Sequence, residues 1–334
     1  MKRLTSLAAR CMGVALALIA VAPASLHAQA PLFNKPVRFI IPYPPGGPTD
    51  LTGRTYADKI ARTIGQPVVV ENRPGAQGVP AVQLLMQLPA DGHAIYFGTL
   101  STQVVFPVIT AYRKQALPYD ARKDLVPVNL MGGSPLVVVS SIKSGIESYK
   151  DLGDALKANP GRMNYGSDGM GSLTHLGGEM LNQTLGTQST HIPYKGTAEF
   201  SQALISGDIQ FAVSGIVGAT NLLRQNRIKV LAVAGPRRSD QLPGVPTTAE
   251  LGHAGVDLTS WFGVFMKAGT PKPQVDAMAQ AITKASTEPD VVQRLTAAGV
   301  EMGVATTPEK FAAQMDTEYK LWTEVVPKAG IKFD

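Results

Sequence analysis

The chain has 334 residues, 44% of them hydrophobic and 17% charged, with a formal net charge of +6 and one cysteine. That one cysteine, Cys11, falls in the first thirty residues, and a chain cleaved after Ala30 has none, which removes disulfides, Cys-ligated zinc and iron–sulfur clusters together. Of the 31 basic residues three fall in the first thirty, which leaves 28 against 25 acidic ones, and no basic run exceeds two neighbours. That pattern gives no case for a nucleic-acid partner.

Residues 1–30 read as a signal peptide. Lys2, Arg3 and Arg10 form a basic start, Cys11 to Ala22 is uncharged and mostly apolar, and Ala28-Gln29-Ala30 supplies the small-x-small cleavage pattern. The apolar run is shorter than the roughly 20 residues a bilayer span takes, and no later segment resembles one. Export points to a bacterial periplasm, where ATP is not available. Cleavage after Ala30 removes Cys11, and with it any thiol nucleophile. The remainder, about 300 residues, can bury a large core and divides more naturally into two domains than one.

Short β-rich runs alternate with amphipathic stretches, the pattern of an α/β fold with mainly parallel sheets. Val37 to Pro42 reads as a strand, followed by a Pro/Gly loop and a helix from about Asp50 to Ile64. Val68 to Glu71 is a second strand, Ala81 to Leu88 a helix and Ala94 to Gly98 a third strand. Val126 to Ser140 is broken by Gly132-Gly133-Ser134-Pro135, which predicts two extended pieces joined by a bend. A second α/β series follows: helix Ser148 to Asn159, strand Met163 to Tyr165, a Gly/Ser loop, and helix Ser172 to Leu185. Strand Thr190 to Pro193, helix Thr197 to Ile205, and strands Ile209 to Val213, Lys229 to Ala234 and Thr259 to Met266 complete it. The C-terminal part is helical, with an apolar stripe at Val275, Met278, Ala279 and Ile282. Extended segments near Leu130–Pro135 and Val230–Gly235 bracket the second series. They predict two crossover strands between two α/β lobes: 31–132 with 233–334 as lobe one, and 133–232 as lobe two.

Catalytic signatures are thin. After the leader, His93, His175, His191 and His253 show no zinc-protease spacing, and neither a nucleophile elbow nor a Walker loop is present. No metal or cofactor is expected. Gly169-Met170-Gly171 opens like a dinucleotide fingerprint, but Thr174 stands where its third glycine belongs.

Two loops carry more information. Tyr43-Pro44-Pro45-Gly46-Gly47-Pro48-Thr49-Asp50 and Gly166-Ser167-Asp168-Gly169-Met170-Gly171-Ser172 each join a strand to a helix, one in each half. Glycines there let the backbone approach a ligand closely. The first turn of each helix has unpaired N–H groups and a partial positive charge, so it binds carboxylate or phosphate without Arg or Lys. Candidate ligand residues are Tyr43, Pro45, Gly46, Gly47 and Asp50 from the first loop, and Gly166, Ser167, Gly169, Gly171, Ser172 and His175 from the second. Thr99, Ser101 and Thr102 after the third strand, and Ser214, complete the set. Asp50 beside an anion is electrostatically awkward, which favours a loop-fixing role. Asp50 and Ser172 also serve as caps on the plainer reading, and Trp322 reads as packing.

The loop Tyr43 to Asp50 and the run Val70-Glu71-Asn72-Arg73-Pro74-Gly75-Ala76 resemble the substrate-binding proteins of tripartite tricarboxylate transporters, the Bug family. So do Leu117-Pro118-Tyr119-Asp120, Gly166 to Ser172 with His175-Leu176, and His191-Ile192-Pro193-Tyr194-Lys195-Gly196. Leu242 to Thr247, Trp261-Phe262-Gly263 and Ala268-Gly269-Thr270-Pro271 continue the series in order over nearly the whole mature chain. The resemblance implies a type II periplasmic-binding-protein clamshell whose two α/β lobes close on a small organic anion. It also implies that both glycine loops hold one carboxylate through backbone groups and ordered waters. Ser214 stands where the family often has Asp, and Glu199 where small residues are usual.

The expected function is capture of a small carboxylate (di- or tricarboxylate, acidic amino acid or aromatic acid) for a membrane permease of that transporter type. The expected protein is a monomer without chemistry of its own. Two alternatives are a sensor subunit that hands its closed form to a signalling receptor, and an exported hydrolase using Ser172 and His175.

Overall fold

Val37 to Ile41 and Ala94 to Thr99 carry almost no polar position, which suits strands covered on both faces. The computed structural model describes residues 31–194, 197–302 and 306–328. The leader read at 1–30 and the Lys195-Gly196 pair lie outside the described residues.

In chain order the first half holds β1 (Val37–Ile41), α1 (Pro48–Ile64), β2 (Val68–Asn72), α2 (Val79–Gln87) and β3 (Ala94–Thr99). A π-helical turn at Ser101–Val105 then runs into α3 (Phe106–Tyr112), and β4 (Leu125–Ser134) follows. Next come β5 (Leu136–Ser141), α4 (Tyr149–Ala158), β6 (Asn164–Ser167), α5 (Leu173–Leu185), β7 (Thr190–Pro193) and α6 (Thr197–Ser206). β8 (Phe211–Gly215), α7 (Ile216–Arg224), β9 (Ile228–Ala234), β10 (Ser260–Lys267), α8 (Lys272–Ser286), α9 (Pro289–Ala297) and α10 (Pro308–Lys328) close the chain.

Among the described residues two five-stranded sheets result, ordered β2-β1-β3-β10-β4 and β7-β6-β8-β5-β9. The chain passes from the first to the second at Pro135, the single residue between β4 and β5, and returns between β9 and β10. Pro135 has no N–H to give a ladder, so the bend read from the Gly-Gly-Ser-Pro run falls there.

The sheets are mixed, which corrects the expectation of mainly parallel ones. β1 pairs in parallel with β2 and β3, and β6 with β7 and β8. β10 runs antiparallel to β3 and β4, and β5 antiparallel to β8 and β9. The antiparallel strands are the ones that enter from the other sheet, so their direction follows from the crossover and not from a local βα repeat.

Packing fixes both sheets. Phe39, Ile41, Phe97 and Val264 pack beneath Met278 and Ile282 of α8 in one cluster, and Val137, Phe200, Ala212 and Ile216 form another. The largest cluster runs through both sheets, from Tyr96, Phe265, Phe311 and Trp322 to Val138, Tyr165 and Leu176. Trp322 is 2% exposed, in keeping with its reading as core. Lys59 of α1 ties the returning chain down, with Nζ 2.5 Å from Glu288 and 2.9 Å from Asp290. No described helix is long and apolar enough to cross a membrane.

Candidate functional site

α1 and α5 begin at the carboxyl ends of β1 and β6, where ligands sit in open α/β sheets. Gly47 precedes α1 and Pro48 opens it, so one of the first-turn donors is absent by chemistry. Gly46 has φ +87°, and a side chain there would meet no atom within 4 Å. Its glycine therefore answers to backbone conformation and not to crowding.

Asp50 closes the first loop on itself. Its carboxylate accepts the Gly46 N–H at 3.0 Å, Arg54 Nε at 2.9 Å and Asn72 Nδ2 at 2.8 Å. Asn72 Nδ2 also donates to the Tyr43 carbonyl at 3.0 Å, and its Oδ1 accepts from Arg54 at 2.9 Å. Burial pushes the Asp50 carboxyl up, yet Arg54, the Gly46 N–H and Asn72 together hold it below the ordinary value. A carboxylate so fully engaged shapes the loop, as its awkward charge suggested. The N–H groups of Thr49 and Asp50, in the first turn, have no carbonyl to reach within the helix.

Behind this loop, Tyr43 Oη meets Thr99 Oγ1 at 3.0 Å. Thr99 and Thr102 bond each other reciprocally, Thr99 N–H to Thr102 Oγ1 at 3.1 Å and Thr102 N–H to Thr99 Oγ1 at 3.2 Å. Burial pushes the Tyr43 hydroxyl up to about 12, the Thr99 bond opposes this, and the charge of Asp168 adds to it. Asp168 belongs to the second loop, so the two loops lie within electrostatic reach of each other.

The second loop is fastened from below. Ser172 caps α5, its Oγ accepting the His175 N–H at 3.2 Å, while Gly171, at φ +74°, donates its N–H to His175 Nδ1 at 3.0 Å. An Nδ1 that accepts must be bare, so the neutral ring carries its proton on Nε2. The ring of His175 stacks on that of His191 with centroids 3.7 Å apart and planes 10° from parallel. His191 Nε2 lies 2.7 Å from Ser167 Oγ, which also accepts the Gly169 N–H at 3.2 Å. Tyr165 packs against both rings and donates to Glu179 at 2.5 Å. Burial, helped by His191, lowers His175 to about 3, and burial lowers His191 to about 4. Burial also raises Glu179, against the bonds it accepts from Tyr165 and Asn182.

The structure thus joins Tyr43, Thr99 and Thr102, joins Gly46 with Asp50, and joins Ser167 with Gly169 and Gly171 with Ser172 and His175. Gly166 is explained by packing, since a Cβ there would sit 2.5 Å from Ile209 Cδ1. Gly47 is half-buried and Pro45 exposed on the rim of the first loop. Ser101 begins the π-helical turn, and no hydrogen bond ties it to the other candidates. Ser214, buried near the end of β8, bonds only weakly to the Gly215 carbonyl at 3.5 Å. Asn72, Arg54, Asp168, Tyr165 and His191 escaped sequence reasoning as site residues. His191 stood in the quoted run His191 to Gly196, but its partnership with Tyr165 comes only from the parallel register of β6 and β7. Ser172 and His175 do not form a nucleophile–base pair: the hydroxyl meets the His175 backbone, and Nδ1 is taken by Gly171.

Comparison with known proteins shows what the chain as a whole is similar to. Residues 52–331 match the family described as tripartite tricarboxylate transporter family receptor. Protein BugT of Bordetella pertussis is 31% identical over 298 residues, 89% of this chain and 90% of that one. A solved structure described as a periplasmic transporter is 32% identical, with a TM-score of 0.80 over 90% of this chain and 99% of that chain. MatC from Rhodopseudomonas palustris, solved with bound malate, is 29% identical at TM-score 0.76, covering 87% of this chain and 99% of MatC. Another R. palustris protein, solved with adipate, is 27% identical at TM-score 0.80, covering 89% and 98%.

Proposed function

The chain belongs to the tripartite tricarboxylate transporter receptor family, and we propose that it is a periplasmic solute-binding protein for a small organic carboxylate. The observation that carries this reading is the pair of glycine loops. Each opens a helix, each sits at a strand's carboxyl end in a different sheet, and Asp168 of one feels Tyr43 of the other. The malate and adipate bound by two relatives are acids of the same class.

Export by the leader at 1–30 delivers the mature chain to the periplasm. Residues 31–132 with 233–334 act as one lobe and 133–232 as the other, bending at Pro135 and between β9 and β10. Closure places the ligand carboxylate among the first-turn N–H groups of α1 and α5. That differential affinity is what stabilises the closed form a membrane permease of the tripartite type would recognise. The protein does no chemistry of its own and works as a monomer.

Ligand-stripped mature protein, heated in the presence of mono-, di-, tri- and aromatic carboxylates, tests the reading. A ligand at a hundredfold excess over its Kd stabilises the fold by about 2.7 kcal/mol, a readable rise in Tm. A folded protein whose Tm no carboxylate moves would overturn it.

A further inference from the structure

α3, the chain that follows it as far as Arg122, and the second half of α10 surround a cavity of about 580 Å³, within the size range of small-molecule sites. None of these elements belongs to the glycine loops. Pro107, Ala111, Leu117 and Pro327 give the cavity apolar wall, and Tyr119 and Tyr319 add aromatic rings. The two charged residues of its lining are already matched. Arg122 Nη2 lies 2.8 Å from Asp316, with the guanidinium over the Tyr319 ring at 5.2 Å from its centroid. Asp120 accepts the Arg122 N–H at 3.0 Å and lies 3.3 Å from Lys123 Nζ. A ligand there meets no unbalanced charge, which favours a neutral one.

One polar group of the lining lacks a partner. Tyr119 is 7% exposed, and its buried Oη makes no hydrogen bond among the described residues. Burial pushes that hydroxyl up to about 12, so it stays a neutral donor and acceptor. A buried hydroxyl left unpaired is costly, and a ligand group that meets it recovers the loss. Tyr319 links the cavity to the first glycine loop. Its Oη donates to the Gln103 carbonyl, inside the π-helical turn Ser101–Val105, a rare insertion that recurs at functional sites. Thr102 of that turn exchanges bonds with Thr99 at 3.1 and 3.2 Å, and Thr99 meets Tyr43 at 3.0 Å.

We propose that this cavity is a second ligand site, for a small uncharged aromatic molecule whose hydroxyl pairs with Tyr119, and that its occupation moves the π-helical turn through Tyr319. The proposal goes beyond the solute-binding reading, and its test needs no carboxylate, so either can fail without the other.

Amide spectra of the isotope-labelled protein, titrated with phenol, benzyl alcohol and toluene, supply the test. Phenol and benzyl alcohol should give saturable shifts at Ala111, Leu117, Ala121 and Thr323, with millimolar or lower midpoints. Toluene, which has no hydroxyl, should bind about fivefold more weakly. The phenol shifts should extend to Gln103, Thr102 and Thr99. Tyr119→Phe should bring phenol down to the affinity of toluene without lowering Tm, since the hydroxyl it removes has no partner. Ala111→Trp and Thr323→Trp, both at exposed positions of the wall, should block all three probes. Tyr319→Phe should keep phenol bound and confine its shifts to the cavity. Binding that does not saturate, that survives both tryptophan substitutions, or that toluene matches overturns the proposal. So do phenol shifts that stop at the cavity wall, or that still reach Thr99 in Tyr319→Phe.

Discussion

The imidazoles of His175 and His191 lie face to face, 3.7 Å apart, under the loop that begins α5. One holds the Gly171 N–H and the other reaches Ser167, so the stack supports the loop backbone from both sides. Two cations at that distance would repel, and burial already disfavours either charge. The stack is a neutral support.

A pH dependence follows with a definite sign. Both rings sit well below their ordinary value near 6.5, at about 3 and about 4. Between those values and 6.5 the unfolded chain binds protons that the folded chain refuses, so stability falls as pH falls through this window. Urea midpoints at pH 7 and pH 4.5 should separate clearly, and His191→Gln should shrink the gap. Glu179, raised by burial, works in the opposite direction. An unchanged gap in His191→Gln would remove the imidazoles from the explanation.

Gly46 and Gly171 hold φ of +87° and +74°, where a side chain costs about 1–2 kcal/mol and a β-branched one more. Gly46→Val and Gly171→Val should leave the far-ultraviolet circular dichroism native and abolish ligand binding. Near-native affinity in both would detach the loops from function.

Asp50 predicts a loss without ligand contact. Asp50→Ala frees the Gly46 N–H and leaves Arg54 with Asn72 alone, and affinity should fall about tenfold, since a hydrogen bond to a charged group is worth about 1.5–3 kcal/mol. Asp50→Asn, which can still accept, should recover most of it. Equal losses in the two variants would point to direct contact instead.

Ser172 is a cap. Ser172→Ala should cost about 1 kcal/mol in unfolding free energy, the usual worth of such a residue. Ester or amide turnover that disappears with this substitution would restore the hydrolase alternative.

The site's two loops were legible because glycine and proline mark sharp strand-to-helix turns by their own backbone chemistry, whatever the distant chain does. The bend before Pro135 was legible for the same reason. Strand direction was not: β5 and β10 read locally like their neighbours, and only pairing with a distant part of the chain reverses them. The π-helical turn at Ser101–Val105 leaves no periodic trace in five residues. The support by Tyr165 and His191 depends on register between β6 and β7, and Asp168 was hidden among glycines as one more loop residue. Local chemistry named the loops, and long-range pairing decided what holds them.

Amide spectra of the isotope-labelled mature protein, titrated with a carboxylate that raises its Tm, test most directly whether both loops hold one ligand. Two helix N-termini closing on a single ligand predict that the N–H signals of Thr49 and Asp50 and those of Leu173 and Thr174 shift together, with one midpoint at one equivalent. Shifts confined to a single loop, or two sets with different midpoints, would contradict it.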